Sequence, residues 1–447
     1  MPREIPGPKG NAISLFLERV HNPLEMIQHL TRDYGTVVGM HVLNQPWMVV
    51  SEPDMIGDIL VHKAKKFNKS PALKRADAFL GKHDVLIIDG EEHTRIRRLM
   101  QPSFHHKRIA AYADQIVQHG RAWSRKWEDG GVYDVLAETG DLTRQIVIEA
   151  LFGKHSESDT NKISEALTVL NSSFLELIRP FSKLWLHTPL PRAREINHAI
   201  KVFDKSIQSI VEERRKSGWE EGEDLLSTLI AAQDLEEGAQ SLSYQELHDQ
   251  VTALYVAGHE TSARGLTWTW YLLAKHPEIQ NAMIREVAAA LGDRPGTFDD
   301  VKDLPLTNAI LAESFRLYPP VWTLARQAVE DVEINDYLIP RGTSIFMSQF
   351  LVHHDPRWWP NAEQFKPERW LENPQPKRPK YSYFPFGTGP RMCIGETFAS
   401  KEISLLLATF AQKWRFSLCE QSNDPPELLV ELSLGPKDGM ILQVESV

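Results

Sequence analysis

Residues 243–276 constrain the fold of this chain more than any other stretch. Ser243-Tyr244-Gln245-Glu246 has the spacing of a capping box, in which serine and glutamate side chains answer N–H groups that the first helical turn leaves open. The pattern stays helical until His276-Pro277. At 1.5 Å per residue such a helix spans roughly 50 Å, enough to cross a whole domain. Its most apolar part, 251–274, is interrupted by His259, Glu260 and Arg264, which predicts a buried helix and not a bilayer one.

The surroundings are helical as well. From about 91 to 280 the pattern is overwhelmingly that of helices, and a further helix over 307–318 is stopped by Pro319-Pro320. Strand signals gather toward the chain ends. They cover 36–42 and 47–51, joined at Leu43-Asn44-Gln45-Pro46, then 329–338 with an Asn335-Asp336 turn, 344–350, and runs near 414–418 and 440–444. A helix is predicted over 394–413, and 355–380 reads as a long irregular loop of the kind that is more often functional than idle. Strands at the ends and helices in the middle predict an α+β protein, mainly α, and argue against a doubly wound sheet. A length of 447 suggests about three domains at roughly 150 residues each. No repeat or linker divides the chain, and the expectation is one domain over 1–447. Its β-rich part falls at approximately 30–70 plus 325–350, and its helical part at approximately 90–320 plus 351–447.

Fifty Lys and Arg against 60 Asp and Glu leave a net charge of -10, which disfavours nucleic acid as a main partner. Cys393 and Cys419 are the only cysteines, too few for a disulfide scaffold or a four-cysteine cluster, and such low usage fits a reducing compartment. The N-terminal segment is charged and proline-rich, and its apolar stretch over 12–17 is too short for a signal peptide or a span. The chain therefore reads as cytoplasmic, without a membrane anchor. Any metal chemistry must use few thiols.

Phe386-Gly387-Thr388-Gly389-Pro390-Arg391-Met392-Cys393-Ile394-Gly395 meets that requirement. Its glycines and proline force a tight loop, and the cysteine stands where the next helix is expected to start, so that a thiolate gains from backbone N–H donors. Arg391 offers a planar fork to an anionic ligand. These ten residues resemble the cytochrome P450 haem-binding pattern F-x-x-G-x-R-x-C-x-G at all five fixed positions. Average residue usage gives such a match by chance in on the order of one in ten thousand chains of this length. The resemblance implies the family's fold, a helix-rich body with a smaller β-rich region and haem between the long helix and the cysteine loop. It implies haem b as cofactor, Cys393 as the iron ligand, and Phe386 packed near the sulfur.

Other segments agree with the family. Glu313-Ser314-Phe315-Arg316 followed by Phe365-Lys366-Pro367-Glu368-Arg369-Trp370 resembles its buried Glu-Arg-Arg network, expected to hold the cysteine side together. Ala257-Gly258-His259-Glu260-Thr261 resembles its oxygen-activation motif. Ala257 and Gly258 are small where a diatomic ligand approaches the helix, Thr261 handles a proton through its hydroxyl, and Glu260 is the candidate for proton delivery. His259-Glu260 also opens a zinc-protease pattern, but position 263 is alanine and the second ligand is missing. His259 is expected to face polar neighbours or solvent. His93 and Arg97, one turn apart, together with Arg326 and Arg391, stand where relatives bind the two haem propionates.

By this resemblance the chain is a monooxygenase that inserts one atom of O2 into an organic substrate. It has no flavin pattern and no thiols for a cluster, so electrons are expected from a separate ferredoxin or flavodoxin with an NAD(P)H-dependent reductase. Arg95, Arg98, Lys107 and Arg108 are candidate docking cations for that partner. The family positions expected to wall the substrate pocket are 73–87, 174–185, 254–257, 321–324 and Leu434. They are largely apolar and suggest a fatty acid, terpene or steroid-like molecule, with the fatty-acid-hydroxylating branch the nearest in appearance. A peroxide-dependent peroxygenase or hydroperoxide isomerase is one alternative, against which the intact Glu260 and Thr261 argue. A non-catalytic haem sensor is another.

Overall fold

The expected N-terminal hairpin is present, and it is one part of a larger sheet. The computed structural model describes residues 3–8, 22–42, 45–153, 157–179, 181–217, 224–234, 240–372 and 377–447. Strands β1 (Val37–Val42) and β2 (Gln45–Val50) pair antiparallel, with Val38 opposite Val49. Leu43 and Asn44 of the expected turn, and the apolar stretch 12–17, lie outside the described residues. Strands β3 (Phe67–Lys69), β4 (Leu324–Ala328) and β5 (Ser344–Met347) complete a five-stranded sheet in the order β1-β2-β5-β4-β3, whose β2–β5 pairing is parallel. This sheet belongs to the first of two compact units, Met1–Pro71 with Ala312–Cys393 and Leu428–Gly435. Val50, Ile59, Ile345, Met347 and Val352 lie in its fully buried core.

Several boundaries differ from those expected. Strand β4 falls in the β-rich part expected over 325–350 but has no strand signal of its own, because Leu-Ala-Arg-Gln-Ala has no apolar alternation to announce it. The segment over 329–338, expected to turn at Asn335-Asp336, forms a hairpin of its own with shorter strands, Val332–Ile334 and Tyr337–Ile339. Its turn residues Asn335 and Asp336 have φ of 46° and 66°, as the tight turn matching strand twist demands. The strand expected to reach 350 stops at Met347, since the Ser348 hydroxyl accepts the Leu351 N–H and opens a helix, Gln349–His353.

The second unit comprises Ala72–Leu311, Ile394–Glu427 and Pro436–Val447. Its axis is the long helix, Tyr244–Lys275, with both hydrogen bonds of the capping box formed at Ser243 and Glu246. Leu266, Trp268, Trp270 and Leu273 are fully buried on it, so it is covered on nearly every side. Helix Val135–Phe152 packs alongside. Thr139 and Thr267 share a hydrogen bond of 2.8 Å, and the Thr143 hydroxyl donates to the His259 carbonyl at 3.0 Å. Within the stretch read as helical, Gly131–Asp134 is a strand, paired with Ile441–Ser446, which in turn pairs with Trp414–Ser417. Among the described residues, no helix is long and apolar enough to cross a membrane.

Candidate functional site

The cysteine loop is shaped by its own backbone. The Gly387 N–H donates to the Phe384 carbonyl at 2.9 Å, Gly387 and Gly389 have φ of 69° and 75°, and residues Gly389–Arg391 form one tight turn. A Cβ on Gly389 would lie 2.1 Å from the Leu60 carbonyl oxygen, so only glycine fits. The Cys393 N–H then donates to the Phe386 carbonyl at 2.9 Å and closes the loop, leaving the thiol exposed. The following helix begins at Glu396, with Gly395 as its N-cap, two residues later than expected. The sulfur therefore stands before the helix, on a loop fixed by carbonyl-to-amide bonds. The Phe386 ring lies 5.6 Å from that of Phe315, and Arg391 is half-buried on the turn. Arg326, on β4, is buried and donates to the Ala325 carbonyl at 2.9 Å.

Behind this loop is the buried ion network. Glu313 Oε1 accepts from Arg316 Nη2 and from Arg369 Nε, both at 2.9 Å, while Oε2 accepts from Arg316 Nε at 3.0 Å and from the Trp370 indole at 2.8 Å. Arg316 goes on to the carbonyls of His353 and Gln364. His353 is fully buried, and its Nε2 accepts the Phe384 N–H at 3.1 Å, which links the network to the cysteine loop. Burial holds its pKa well below the usual histidine value, as an accepting ring nitrogen requires. Neither Trp370 nor His353 was expected in this role. Trp370 adjoins Arg369 and carried a hint; His353 carried none.

On the long helix, Ala257 is exposed, whereas Gly258 faces a neighbour: a Cβ there would lie 3.1 Å from Val147. The Thr261 hydroxyl donates to the Ala257 carbonyl at 2.8 Å, a bond one turn back along the helix. Glu260 pairs with Arg264 at 2.7 Å, with side chains only 13% and 9% exposed. His259 is held low in pKa by burial, and its Nδ1 lies 3.2 Å from the Tyr255 carbonyl. Ser262, the residue after Thr261, donates at 2.6 Å to Oε2 of Glu402, an acid with no part in the sequence expectation. Glu402 is fully buried, its Oε1 has no hydrogen-bond partner among the described residues, and burial pushes its pKa up to about 8.

His93 and Arg97 lie on helix Gly90–Met100, the first buried and the second half-buried. Arg95, one of the candidate docking cations, is instead half-buried and engaged by Glu246. A cation spent on an internal carboxylate is withdrawn from any docking surface. Lys107 is exposed; Arg98 and Arg108 are half-buried.

The family model for cytochrome P450 matches residues 6–443. The chain belongs to the cytochrome P450 family. This cytochrome P450 is similar to cyclooctatin synthase of Streptomyces melanosporofaciens, 32% identical over 93% of this chain and 90% of the relative. It is also similar to pentalenene oxygenase of Streptomyces avermitilis, at 30% identity over 90% of this chain and 88% of the relative. In fold it matches retinoic acid-bound cyanobacterial CYP120A1 with a TM-score of 0.88 at 22% identity, covering all of both chains. The mainly helical α+β fold expected of the family is thus present, and the protein is an oxygen-incorporating oxidoreductase of the haem-thiolate class.

The donor set agrees with that cofactor. Cys393 is an exposed thiol outside any disulfide, on a loop closed by its own backbone bonds, and a soft sulfur ligand suits haem iron. His93, Arg97, Arg326 and Arg391, which the resemblance assigns to the propionates, are of the residue types that answer carboxylates.

Proposed function

We propose that this P450 hydroxylates a terpenoid, using haem b and electrons from a separate ferredoxin or flavodoxin with its NAD(P)H-dependent reductase. The observation that carries the reading is the Cys393 thiol, left exposed by a loop that the Gly387, Met392 and Cys393 amides close through backbone bonds. Neither cysteine stands in a Cys-x-x-Cys-His pattern, which favours a haem held without covalent attachment. The names of the relatives, a cyclooctatin synthase and a pentalenene oxygenase, favour the terpenoid among the fatty acid, terpene and steroid-like classes that the sequence suggested. We read residues 1–447 as one functional haem domain, working in the cytoplasm.

In this reading Cys393 ligates the iron and Phe386 shields the sulfur. Arg326, Arg391, His93 and Arg97 hold the propionates. The haem, when bound, would supply activation of O2; with two electrons from the reductase and two protons, one oxygen atom would go to the substrate and the other would leave as water. Ala257 leaves room beside the helix backbone, and Gly258 keeps that helix seated on Val147. Thr261, resting on the Ala257 carbonyl, has a hydroxyl able both to accept and to donate a proton. Glu260 delivers protons from its carboxyl once it parts from Arg264. The largely apolar segments 73–87, 174–185, 254–257 and 321–324, with Leu434, are read as the wall of the substrate pocket that excludes water.

The test is the carbon-monoxide difference spectrum of the reduced protein. Wild type is expected to show the thiolate-type Soret band and Cys393→Ala to lose it; a wild type without that band would sink the reading. Pentalenene, cyclooctat-9-en-7-ol and a fatty-acid panel, assayed with ferredoxin and flavodoxin systems, then test the substrate. Turnover of fatty acids alone would remove the terpenoid proposal. Turnover supported by peroxide and indifferent to Thr261→Ala would replace the monooxygenase cycle with a peroxygenase one.

A further inference from the structure

Loop residues 81–88 are fastened to the long helix by two consecutive, fully buried polar side chains. Asp249 Oδ2 accepts the His83 N–H at 2.9 Å. Gln250 makes a two-way bond to the same loop: its Oε1 accepts the Val85 N–H at 3.0 Å, and its Nε2 donates to the His83 carbonyl at 2.6 Å. Gly81, with φ of 89°, lets the loop come this close, because a Cβ there would lie 2.1 Å from the Asp249 carboxyl carbon. The clamp is itself braced. The amide of Gln245 donates to Asp249 Oδ1 at 2.7 Å, while His248 Nδ1 lies 3.3 Å from the same oxygen and its Nε2 lies 3.7 Å from Asp204 on helix Pro191–Ser217. Inside the loop, buried Asp84 accepts the Leu86 N–H at 2.7 Å and sets the turn that presents Val85, Leu86 and Ile87.

The fastening point has a fixed relation to the chemistry on that helix. Gln250 and Ala257 are seven residues apart, two helical turns, and therefore share one face with roughly 10 Å between them. A loop keyed to Gln250 is thereby keyed to Ala257 and, one turn on, to Thr261. Burial leaves no water to replace a lost partner, so a missing acceptor strands the loop amide and the segment must shift.

We propose that Asp249 and Gln250 are positioning residues that fix loop 81–88 against the oxygen-activation segment and so set which bulky ligands this P450 admits. Neither side chain touches substrate in this account; both act through the backbone of His83 and Val85. The proposal rests on the reading of 73–87 as a wall of the substrate pocket.

The haem-loaded enzyme is titrated with imidazole and with 4-phenylimidazole, following the Soret shift as each binds iron. Imidazole needs little room, whereas the phenyl derivative needs the pocket wall where it stands. Gln250→Leu is expected to change the ratio of the two affinities by about tenfold, with imidazole itself within about twofold, and to speed amide hydrogen exchange at His83 and Val85. Gln250→Glu keeps the acceptor for Val85 and is expected to restore most of the ratio. Asp249→Asn keeps one acceptor and is expected to move it about threefold, which supplies the reading should Gln250→Leu fail to load haem. An unchanged ratio in the haem-loaded variants, with or without faster exchange, overturns the proposal. Absence of the thiolate-type carbon-monoxide band in wild type would instead overturn the haem-thiolate reading, so the two failures are separate.

Discussion

Glu313 and Glu402 are both carboxylates with no exposed surface, one in each compact unit, and their surroundings treat them in opposite ways. Glu313 receives two guanidinium groups, the Trp370 indole and the Lys366 N–H, so that both oxygens are fully used. Glu402 has a serine hydroxyl on one oxygen and, among the described residues, no partner on the other. The first is a buried ion pair whose charges compensate each other; the second has no cation and keeps its proton instead. Rigidity behind the cysteine loop thus comes from charge. Beside the Thr261 segment, the same residue type is present in a form that depends on pH.

Breaking the first site should have the largest effect. Glu313→Ala leaves Arg316 and Arg369 buried without their shared partner and is expected to cost about 3–5 kcal/mol in chemical denaturation. Because His353 ties this network to Phe384, the variant should also lose haem more readily, measured as transfer to apomyoglobin. A loss below about 1 kcal/mol would mean that the network is not what stiffens the loop. Arg369→Lys is a gentler probe of the same site. Its single ammonium cannot reproduce the fork that reaches Glu313 and the carbonyls of Pro360 and Asn361, and a loss of about 2 kcal/mol is expected in the same measurement.

These sites also show which features were legible in the amino-acid sequence. The capping box at Ser243 and Glu246, the cysteine loop and the Glu313–Arg316 pair could be read because each is written within ten residues. Strand β4 could not, although it carries Arg326, because it exists through pairing with Phe67–Lys69 and Ser344–Met347, far away along the chain. Glu402 lies 140 residues from Ser262, and Gln250 lies 165 residues from Val85. No local spacing marks such partners; only the packed structure brings them together. Arg95 shows the converse failure. Its neighbours made it look like one of a basic patch, and only Glu246, 151 residues away, shows that it is already engaged.

Glu402→Gln is the smallest and most diagnostic change. Burial raises the native pKa to about 8, above the ordinary carboxyl value of 4.5. Below pH 4.5 both folded and unfolded chains hold the proton, and the group's favourable contribution is complete. As pH rises through the interval up to about 8, the unfolded chain releases the proton while the folded chain retains it, so stability falls; above about 8 the effect levels off. Glutamine removes this titration while preserving shape, and its amide can still meet the Ser262 hydroxyl. The melting temperature of the variant should therefore match or lie slightly below that of wild type near pH 4.5 and overtake it as pH rises. A net gain of about 1–2 kcal/mol is expected at pH 7, since the added N–H2 offsets part of the relief. Parallel stability curves for the two proteins between pH 4.5 and 8 would show that Glu402 loses its proton in the folded state as easily as in the unfolded one, and the contrast with Glu313 would disappear.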